Sequence, residues 1–362
     1  MLVGEERMIS DRMIGRTWRK LHFSDQIGSV LKDSVSLSKK NRVCLKDSFK
    51  SSIWSLEARG KNKTYPILLK IIKPVNRTES LVELNMYRKA GKLLHGLMPD
   101  IYLIEKRVNE NEWWVCMERS KPVKGQLVFT PHHFLNIIPS LAELHARTYN
   151  DNFNSHKSLF SDWLPVYQSA AMKRERVETN EKTKLLLEEA MHLPHLKEII
   201  QPSYSIIKKL LRKGPMYFPE IIEAGQSIVH SDLQTANMCC SDLTKRNWSI
   251  KFIDWEGAKY APCWFDMVNM IGIFFAYRKD WREHEQEIVG QCVQRYAREM
   301  KKRGIVWKLD PYKLYKMAFL QRILEKTLYL QLNWEVKGIK KGLLLPGMVN
   351  KINRWGKELK LL

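Results

Sequence analysis

The sequence predicts an α+β chain of two lobes, a small β-rich lobe followed by a larger and mostly helical one. Three observations predict this architecture. Residues 41–120 alternate short apolar, branched runs with one helical segment, and residues 121–362 carry apolar residues mainly at helical spacing. A chain of 362 residues is also too long for one small core. Residues 1–40 are mixed polar and basic, and we expect an N-terminal extension there that packs on the first lobe.

Two apolar runs and one helical period define the first lobe. Residues 65–72 and 112–117 are rich in branched or aromatic side chains, which predicts a strand in each. Residues 79–88 place apolar side chains at helical spacing, which predicts a helix between the two strands.

The second lobe contains two clear helix signals. Pro131 is expected at the start of a helix whose N-cap is Thr130. Residues 312–334 repeat apolar side chains at helical spacing and predict a long packed helix.

The most informative segment is Ile-Val-His-Ser-Asp-Leu-Gln-Thr-Ala-Asn at residues 228–237, followed by Lys-Phe-Ile-Asp-Trp-Glu at 251–256. A His and an Asp two residues apart, an Asn five residues later, and a second Asp after an apolar run match the catalytic-loop and metal-loop signatures of protein kinases. An ordinary polar turn between two strands is the alternative interpretation. Two motifs in the expected order favour the kinase-type interpretation.

Phosphoryl transfer explains why these residue types stand in this order. The reaction requires positioning and charge neutralisation more than covalent chemistry by the protein. A carboxylate such as Asp232 orients the acceptor hydroxyl and takes its proton. Asn237 and Asp254 offer oxygen atoms, the ligands that Mg²⁺ prefers. His230 precedes the loop, where a histidine usually supports the backbone through hydrogen bonds.

The two motifs resemble the aminoglycoside phosphotransferase and choline kinase group, a branch of the protein-kinase-like fold. That group usually has His-Gly-Asp-Leu-x-x-x-Asn, then Ile-Asp-Trp-Glu, then Pro and Asp. This chain has His-Ser-Asp-Leu-Gln-Thr-Ala-Asn at 230–237, Ile-Asp-Trp-Glu at 253–256, and then Pro262 and Asp266. Residues 141–146 also resemble the helix that these enzymes carry before the catalytic loop.

The resemblance implies a bilobal protein-kinase-like fold and a role for each matching residue. It implies Asp232 as the catalytic base, Asn237 and Asp254 as metal ligands, and Asp266 as a buried carboxylate that braces the catalytic loop. Ser231 departs from the usual Gly and adds a side chain to a tight loop. The specific motifs cover residues 228–266, and the rest of the chain matches only in order and character.

A lone cation inside an apolar strand predicts a phosphate contact in the first lobe. Lys70 stands in the run 65–72, where the strand lysine of kinases would reach phosphates. Glu83 lies in the following helix, four residues before an aromatic residue, as the ion-pair glutamate does in the family. We therefore expect a Lys70–Glu83 ion pair, although a solvated strand lysine is the alternative for Lys70 or Lys73.

Four further residues are candidates for nucleotide binding. Glu118 and Ser120 follow the second predicted strand, where the family has the hinge that holds adenine, although an ordinary strand end is an equal alternative. Ser51 and Ser52 belong to residues 47–54, which stand in the place of a phosphate-covering loop. That loop has no glycine, and a plain hairpin turn is its alternative.

Composition narrows the partners and the location. The net charge is +22, from 61 Lys and Arg against 39 Asp and Glu. Such a surface either keeps the protein soluble or attracts an anionic partner. It also makes a neutral or anionic acceptor at least as suitable as a cationic aminoglycoside.

We see no nucleic-acid-binding motif and no apolar run of about 18 residues that would predict a transmembrane segment. An N-terminus without a secretory pattern and six cysteines without C-x-x-C spacing predict a cytoplasmic protein with reduced thiols.

The sequence therefore predicts a phosphotransferase that requires Mg²⁺ and uses ATP or GTP. It would move the γ-phosphate to a hydroxyl of a small acceptor molecule. The alternative is a catalytically silent kinase-like protein that holds an anionic partner on its basic surface.

Overall fold

The computed structural model describes residues 10–73, 78–107, 112–123, 125–245 and 248–361. The chain divides into two compact units, one formed by residues 1–125 and 235–257 and the other by residues 126–234 and 258–362. Residues 235–257, expected with the second lobe, thus group with the first unit. The short strands β8 and β9 explain this grouping. They pair with each other, and β8 also forms backbone hydrogen bonds with Lys121 and Val123, near the end of segment 1–125.

The described residues form ten strands and fourteen α-helices. The strands are β1 (Ser36–Leu37), β2 (Val43–Asp47), β3 (Ser51–Arg59), β4 (Thr64–Ile72), β5 (Ile101–Arg107), β6 (Glu112–Glu118), β7 (Gln226–Val229), β8 (Met238–Cys240), β9 (Ile250–Phe252) and β10 (Lys259–Pro262). The helices are α1 (Asp11–Lys20), α2 (Phe23–Leu31), α3 (Thr78–Asn85), α4 (Pro131–Arg147), α5 (Asp151–Ser155), α6 (Ala170–Ala190), α7 (Pro194–Ile200), α8 (Tyr204–Lys213), α9 (Glu220–Glu223), α10 (Trp264–Tyr277), α11 (Glu285–Lys302), α12 (Pro311–Arg322), α13 (Leu328–Val336) and α14 (Leu345–Glu358).

The first unit is built on a six-stranded antiparallel sheet. Its strand order is β1-β3-β4-β6-β5, and β2 pairs separately with β3. Strands β4 and β6 lie where the branched and aromatic runs predicted them. Helix α3 continues into one π-helical turn, Met86–Ala90.

The two faces of this sheet differ because successive residues of a strand point to opposite sides. On one face, Ile67, Leu69 and Ile71 of β4 join a buried core with Trp18 of α1 and Phe23 of α2. The N-terminal helices therefore cover this face of the sheet. Lys70 has the opposite parity and belongs to the other face.

The second unit is mainly helical, with one two-stranded sheet formed by β7 and β10. Helix α4 begins at Pro131 after Thr130, as predicted, and the Thr130 amide donates to His133 Nδ1. The predicted helix at 312–334 is present as α12 and α13, joined by the π-helical turn Ile323–Thr327.

The predicted α+β class is confirmed. Among the described residues, every helix is too short or too polar to span a bilayer.

We predict that Phe23→Ala destabilises the first unit. The Phe23 side chain is fully buried between α1 and the sheet, and its loss leaves a cavity that costs about 3–5 kcal/mol. Val30 on the same helix is 55 % exposed, so Val30→Ala should change stability by less than about 0.5 kcal/mol. Urea unfolding followed by tryptophan fluorescence measures both. Equal effects of the two substitutions would contradict the packing of α2 on the sheet.

Candidate active site

Lys70 lies between two carboxylates in the first unit. Its side chain is 10 % exposed, and Nζ lies 2.6 Å from Glu83 Oε1 and 2.9 Å from Asp254 Oδ1. Strand β4 contributes the lysine, α3 contributes Glu83, and the residues after β9 contribute Asp254. The lysine is therefore not a solvated strand residue. The structure contains the ion pair expected from the sequence, together with a second carboxylate on the same cation.

The charge state of Lys70 follows from these contacts. Burial by itself would lower the pKa of the Lys70 ammonium, but the Glu83 and Asp254 carboxylates raise it above its ordinary value. An isolated buried ammonium would be costly, and the neighbouring carboxylates offset that cost. Lys70 therefore remains a cation at neutral pH.

Tyr87, the aromatic residue four positions after Glu83, completes this cluster and was not among the predicted site residues. Its hydroxyl donates to Glu83 Oε1 at 3.0 Å and accepts the Asp254 amide at 3.3 Å. Burial raises the pKa of the Tyr87 phenol well above its ordinary value, so the hydroxyl keeps its proton. The available signal was its position four residues after Glu83, which places both side chains on one helical face.

The two predicted metal ligands lie at the same end of the β8–β9 pair. Met238 pairs with Phe252, and the next step along the pair is the hydrogen bond from the Ile253 amide to the Asn237 carbonyl, at 3.0 Å. Asp254 follows directly, in a left-handed conformation with φ of +64°. Its side chain is 37 % exposed, whereas Asn237 is buried.

This donor set fits Mg²⁺. The ion usually takes one or two protein oxygen ligands and completes its shell with phosphate oxygens and water. One carboxylate and one amide match that requirement, and the structure places them on adjacent backbone. In the described part of the chain, no group of three His, Cys, Asp or Glu side chains forms an all-protein metal site.

The segment with Ser51 and Ser52 forms a hairpin between β2 and β3. The Ser48 amide donates to the Ser51 carbonyl at 3.0 Å, and Ser52 donates to the Asp47 carboxylate. Both predicted serines are buried, and Ser52 already uses its hydroxyl within the hairpin. Lys50, at the turn, lies 3.2 Å from Glu256 Oε2. The turn thus places a cation beside the Asp-Trp-Glu segment, a contact that the sequence did not predict.

The residues after β6 run alongside β8. Glu118 forms an ion pair with Lys251 of β9, and Ser120 is half-buried. The Val123 amide donates to the Met238 carbonyl at 2.8 Å, and the Cys240 amide donates to the Lys121 carbonyl at 2.9 Å. The Glu118 carboxylate therefore stabilises the connection to β9.

In the second unit, helix α10 holds the backbone of the loop that contains Asp232. The His230 and Ser231 amides donate to the two oxygens of Asp266, each at 2.7 Å. The Leu233 amide donates to Asn269 Oδ1 at 2.5 Å. Asp266 and Asn269 are three residues apart and therefore share a helical face. Asn269 was not among the predicted residues, and its spacing from Asp266 was the available signal.

The Asp266 carboxylate is fully buried and receives a further donor from α4. His145 Nε2 lies 3.2 Å from Asp266 Oδ2, and His145 Nδ1 lies 2.6 Å from the Tyr296 hydroxyl. Burial by itself would raise the pKa of Asp266, but the hydrogen bonds from His145 and the His230 backbone hold it below its ordinary value. The carboxylate is therefore ionised and tied to two helices and a loop. His145 lies in the segment 141–146 that carried part of the resemblance.

Asp232 is half-buried at the turn of this loop. Its amide donates to His230 Nδ1 at 3.3 Å, and Gln234 Nε2 donates to Asp232 Oδ2 at 3.0 Å. His230 is fully buried. The loop thus orients the Asp232 carboxylate through its own neighbours, and α10 fixes the loop.

The protein belongs to the DUF1679 family, described as "Uncharacterized oxidoreductase dhs-27", because the family model matches residues 55–324, more than half of the chain. No curated protein sequence matches the chain.

Solved structures of small-molecule kinases share the fold. Choline kinase from Cryptosporidium parvum Iowa II has 13 % identity and a TM-score of 0.54, over 98 % of this chain and 96 % of the other. Plasmodium vivax ethanolamine kinase has 12 % identity and a TM-score of 0.54, over 99 % and 95 %. A point mutant of aminoglycoside 2'-phosphotransferase-IIIa in its GDP complex has 17 % identity and a TM-score of 0.52, over 93 % and 99 %. The predicted bilobal protein-kinase-like fold is confirmed.

We predict that Ser231→Gly stabilises the protein. Ser231 has a φ of +69°, in the left-handed region where a side chain costs about 1–2 kcal/mol and glycine is accommodated without that cost. The melting temperature should rise by about 1–3 °C. Ser231→Ala keeps a Cβ atom in the same conformation and should give no gain. Differential scanning fluorimetry measures the melting temperatures. A glycine variant that melts at or below the wild-type temperature would show that the backbone at Ser231 is not strained.

Proposed function

We propose that the protein is a phosphotransferase that requires a nucleotide and Mg²⁺, and that it transfers the γ-phosphate of ATP or GTP to a hydroxyl of a small molecule. The observation that carries this proposal is the Lys70 ammonium held between Glu83 and Asp254. A strand lysine, a helix glutamate and a metal-loop aspartate are the parts that kinases use to orient nucleotide phosphates. In this chain they meet over sequence separations of 13 and 184 residues.

The first unit would hold the nucleotide. Lys70 would contact phosphate oxygens, while Glu83 and Tyr87 limit the directions in which its ammonium points. Asp254 and Asn237 would hold Mg²⁺, which neutralises negative charge on the phosphates when bound. The hairpin with Ser51 and Ser52 and the segment with Glu118 and Ser120 are the proposed positions for phosphate and base contacts.

Asp232 would act as the general base. Its carboxylate would accept the proton of the acceptor hydroxyl as the oxygen attacks phosphorus. Asp266 and Asn269 contribute indirectly, because together they accept three backbone amides of the loop, on both sides of Asp232, and so limit how far Asp232 can move. His230 supports the same loop from within.

The family description names an oxidoreductase, yet the site residues favour phosphoryl transfer. The amino-acid sequence has no G-x-G-x-x-G segment, the usual dinucleotide-binding signature. The carboxylates, amide and lysine described above are instead those of a nucleotide-phosphate site. All six cysteines are free thiols, which supports the cytoplasmic location as part of this proposal.

We predict that Asp232→Asn lowers turnover about 10²–10⁴-fold, because a positioned general base contributes by that order. Phosphate transfer from ATP or GTP to a panel of hydroxylated metabolites and antibiotics measures the loss. Nucleotide affinity should be unchanged, since the residues that would bind the nucleotide are intact. Asp280→Asn, on an exposed residue of the same unit, is the control and should keep full turnover. Near-normal turnover of Asp232→Asn would remove Asp232 from the role of base.

We also predict that Asp254→Ala abolishes the Mg²⁺ dependence of nucleotide affinity, because the metal loses its carboxylate ligand. Thermal shift in a titration with nucleotide, with and without Mg²⁺, measures the effect independently of turnover. Asp242→Ala is a matched control, since its side chain is also 37 % exposed and lies in the same unit. Identical titrations of Asp254→Ala and the wild type would contradict the metal assignment. A wild type that binds no nucleotide would favour the silent binding protein.

A further inference from the structure

A cavity of about 550 Å³ lies within the helical unit. Residues of α10, α12 and α14 line it. Two of the lining residues are glycines, Gly272 of α10 and Gly347 of α14, and a Cβ atom on either would meet no other atom within 4 Å. The cavity therefore has open space directly above two helix backbones. Its volume is in the range of about 300–1,000 Å³ typical of small-molecule sites.

One side chain connects this cavity to the loop of the proposed base. Asn269 lines the cavity, and its Oδ1 accepts the amide of Leu233, the residue next to Asp232. Gly272 and Ile273 follow three and four residues later on the same helix and also line the cavity. A molecule in the cavity would thus lie against the helix face that holds the catalytic loop.

The cavity surface is largely apolar. Its apolar lining includes Val268, Ile273 and Phe319 and continues to Leu343 and Leu344. The last two residues are 80 % and 40 % exposed, so their apolar surface is in contact with water. An apolar ligand body would cover them and gain the free energy of removing that surface from water.

The charged lining is mostly cationic. Arg282, Arg322, Lys351 and Arg354 line the cavity against one carboxylate, Glu285. Glu285 already forms an ion pair with Lys351, and Arg322 pairs with a glutamate outside the lining. Within the described residues, Arg282 and Arg354 have no carboxylate partner at ion-pair distance. The cavity therefore offers cationic groups to an anion.

We propose that the acceptor is an amphiphilic anion: an apolar molecule with a hydroxyl at one end and a carboxylate or similar anionic group at the other. This inference rests on the proposed function, because it assigns the acceptor of the same reaction. The hydroxyl would lie at the Asn269 end and the anion among Arg282 and Arg354. Choline and aminoglycosides are cations and would be repelled by this lining.

In the transfer step, a nucleoside triphosphate is the co-reactant and donates its γ-phosphate to the acceptor. The hydroxyl oxygen of the acceptor forms a bond to the γ-phosphorus, and the bond from that phosphorus to the β–γ bridging oxygen breaks. The bond's electron pair leaves with the nucleoside diphosphate. The hydroxyl proton passes to Asp232 and then to solvent. The products are a phosphate monoester that keeps its anionic group and a nucleoside diphosphate.

Three probes of similar length test the ligand class: 12-hydroxydodecanoate, its methyl ester, and (11-hydroxyundecyl)trimethylammonium. Isothermal titration calorimetry on the full chain, without nucleotide, measures their binding. We expect the carboxylate to bind at least about tenfold more tightly than the ester, since charge-assisted hydrogen bonds are about twice as strong as neutral ones. The cation should bind most weakly. An ester or cation that binds as tightly as the carboxylate would overturn the proposal.

Two variants locate the binding. Arg354→Met should weaken the carboxylate about tenfold and leave the ester unchanged, whereas Lys357→Met, on an exposed lysine of the same helix outside the lining, should change neither. Gly272→Leu should obstruct the cavity beside Asn269 and abolish binding of both probes while the protein stays folded. Leucine is a better helix former than glycine, and the space above Gly272 is open. Gly290→Leu, at an equally open glycine of α11, should retain binding. Retained binding by Gly272→Leu would place the ligand elsewhere and overturn the proposal.

The same probes separate this inference from the proposed function. The expected order of affinities and its loss in Gly272→Leu support the ligand class whether or not phosphate is transferred. If the carboxylate binds in this way but gains no phosphate from ATP or GTP with Mg²⁺, the proposed function fails and the ligand class stands. If other hydroxyl compounds are phosphorylated and the carboxylate neither binds nor reacts, the ligand class fails alone.

Discussion

The buried carboxylate of Asp266 is the interaction on which the helical unit's proposed site depends. Removing a carboxylate from water costs several kcal/mol unless donors replace the lost hydration. Two consecutive loop amides and His145 supply those donors, and the Tyr296 hydroxyl supports the histidine. Because the charge is stable only with all of these donors in place, the loop conformation and the positions of α4 and α10 are coupled.

Helix α10 combines two tasks on one face. Its first turn carries Asp266, and Asn269 one turn later accepts the Leu233 amide of the same loop. The same stripe continues through Gly272 and Ile273 into the cavity lining. A change in the packing of this helix would therefore move the loop that carries Asp232 and the proposed acceptor pocket together.

In the first unit the central constraint is the burial of both faces of the sheet. Helices α1 and α2 cover one face, and the residues of the second half of β4 are buried on both faces. The strand sequence is therefore an almost continuous apolar run. On the other face Lys70, the cation of β4, is desolvated and must be neutralised by nearby carboxylates. That requirement joins β4, α3 and the segment after β9, which are far apart in sequence.

Local order and spacing in the sequence determined much of this protein. The apolar runs predicted β4 and β6, Thr130 and Pro131 predicted the start of α4, and the two motifs predicted the fold. These features depend on neighbours within a few residues, which a single sequence displays directly. The Lys70–Glu83 ion pair was also predictable, because in the family that the motifs resemble a strand lysine pairs with a glutamate at the corresponding position of the following helix.

Only the tertiary structure decided the contacts that join distant segments. Four such contacts are Lys70 with Asp254, the Tyr87 hydroxyl with the Asp254 amide, Asn269 with the Leu233 amide, and His145 with Asp266. Helical spacing can indicate which face Tyr87 or Asn269 shares, but it does not indicate the distant partner of any of these residues. The grouping of residues 235–257 with the first unit and the cationic lining of the cavity have the same origin. Local periodicity specifies which face of an element is buried, but which side chains meet there depends on how the elements pack.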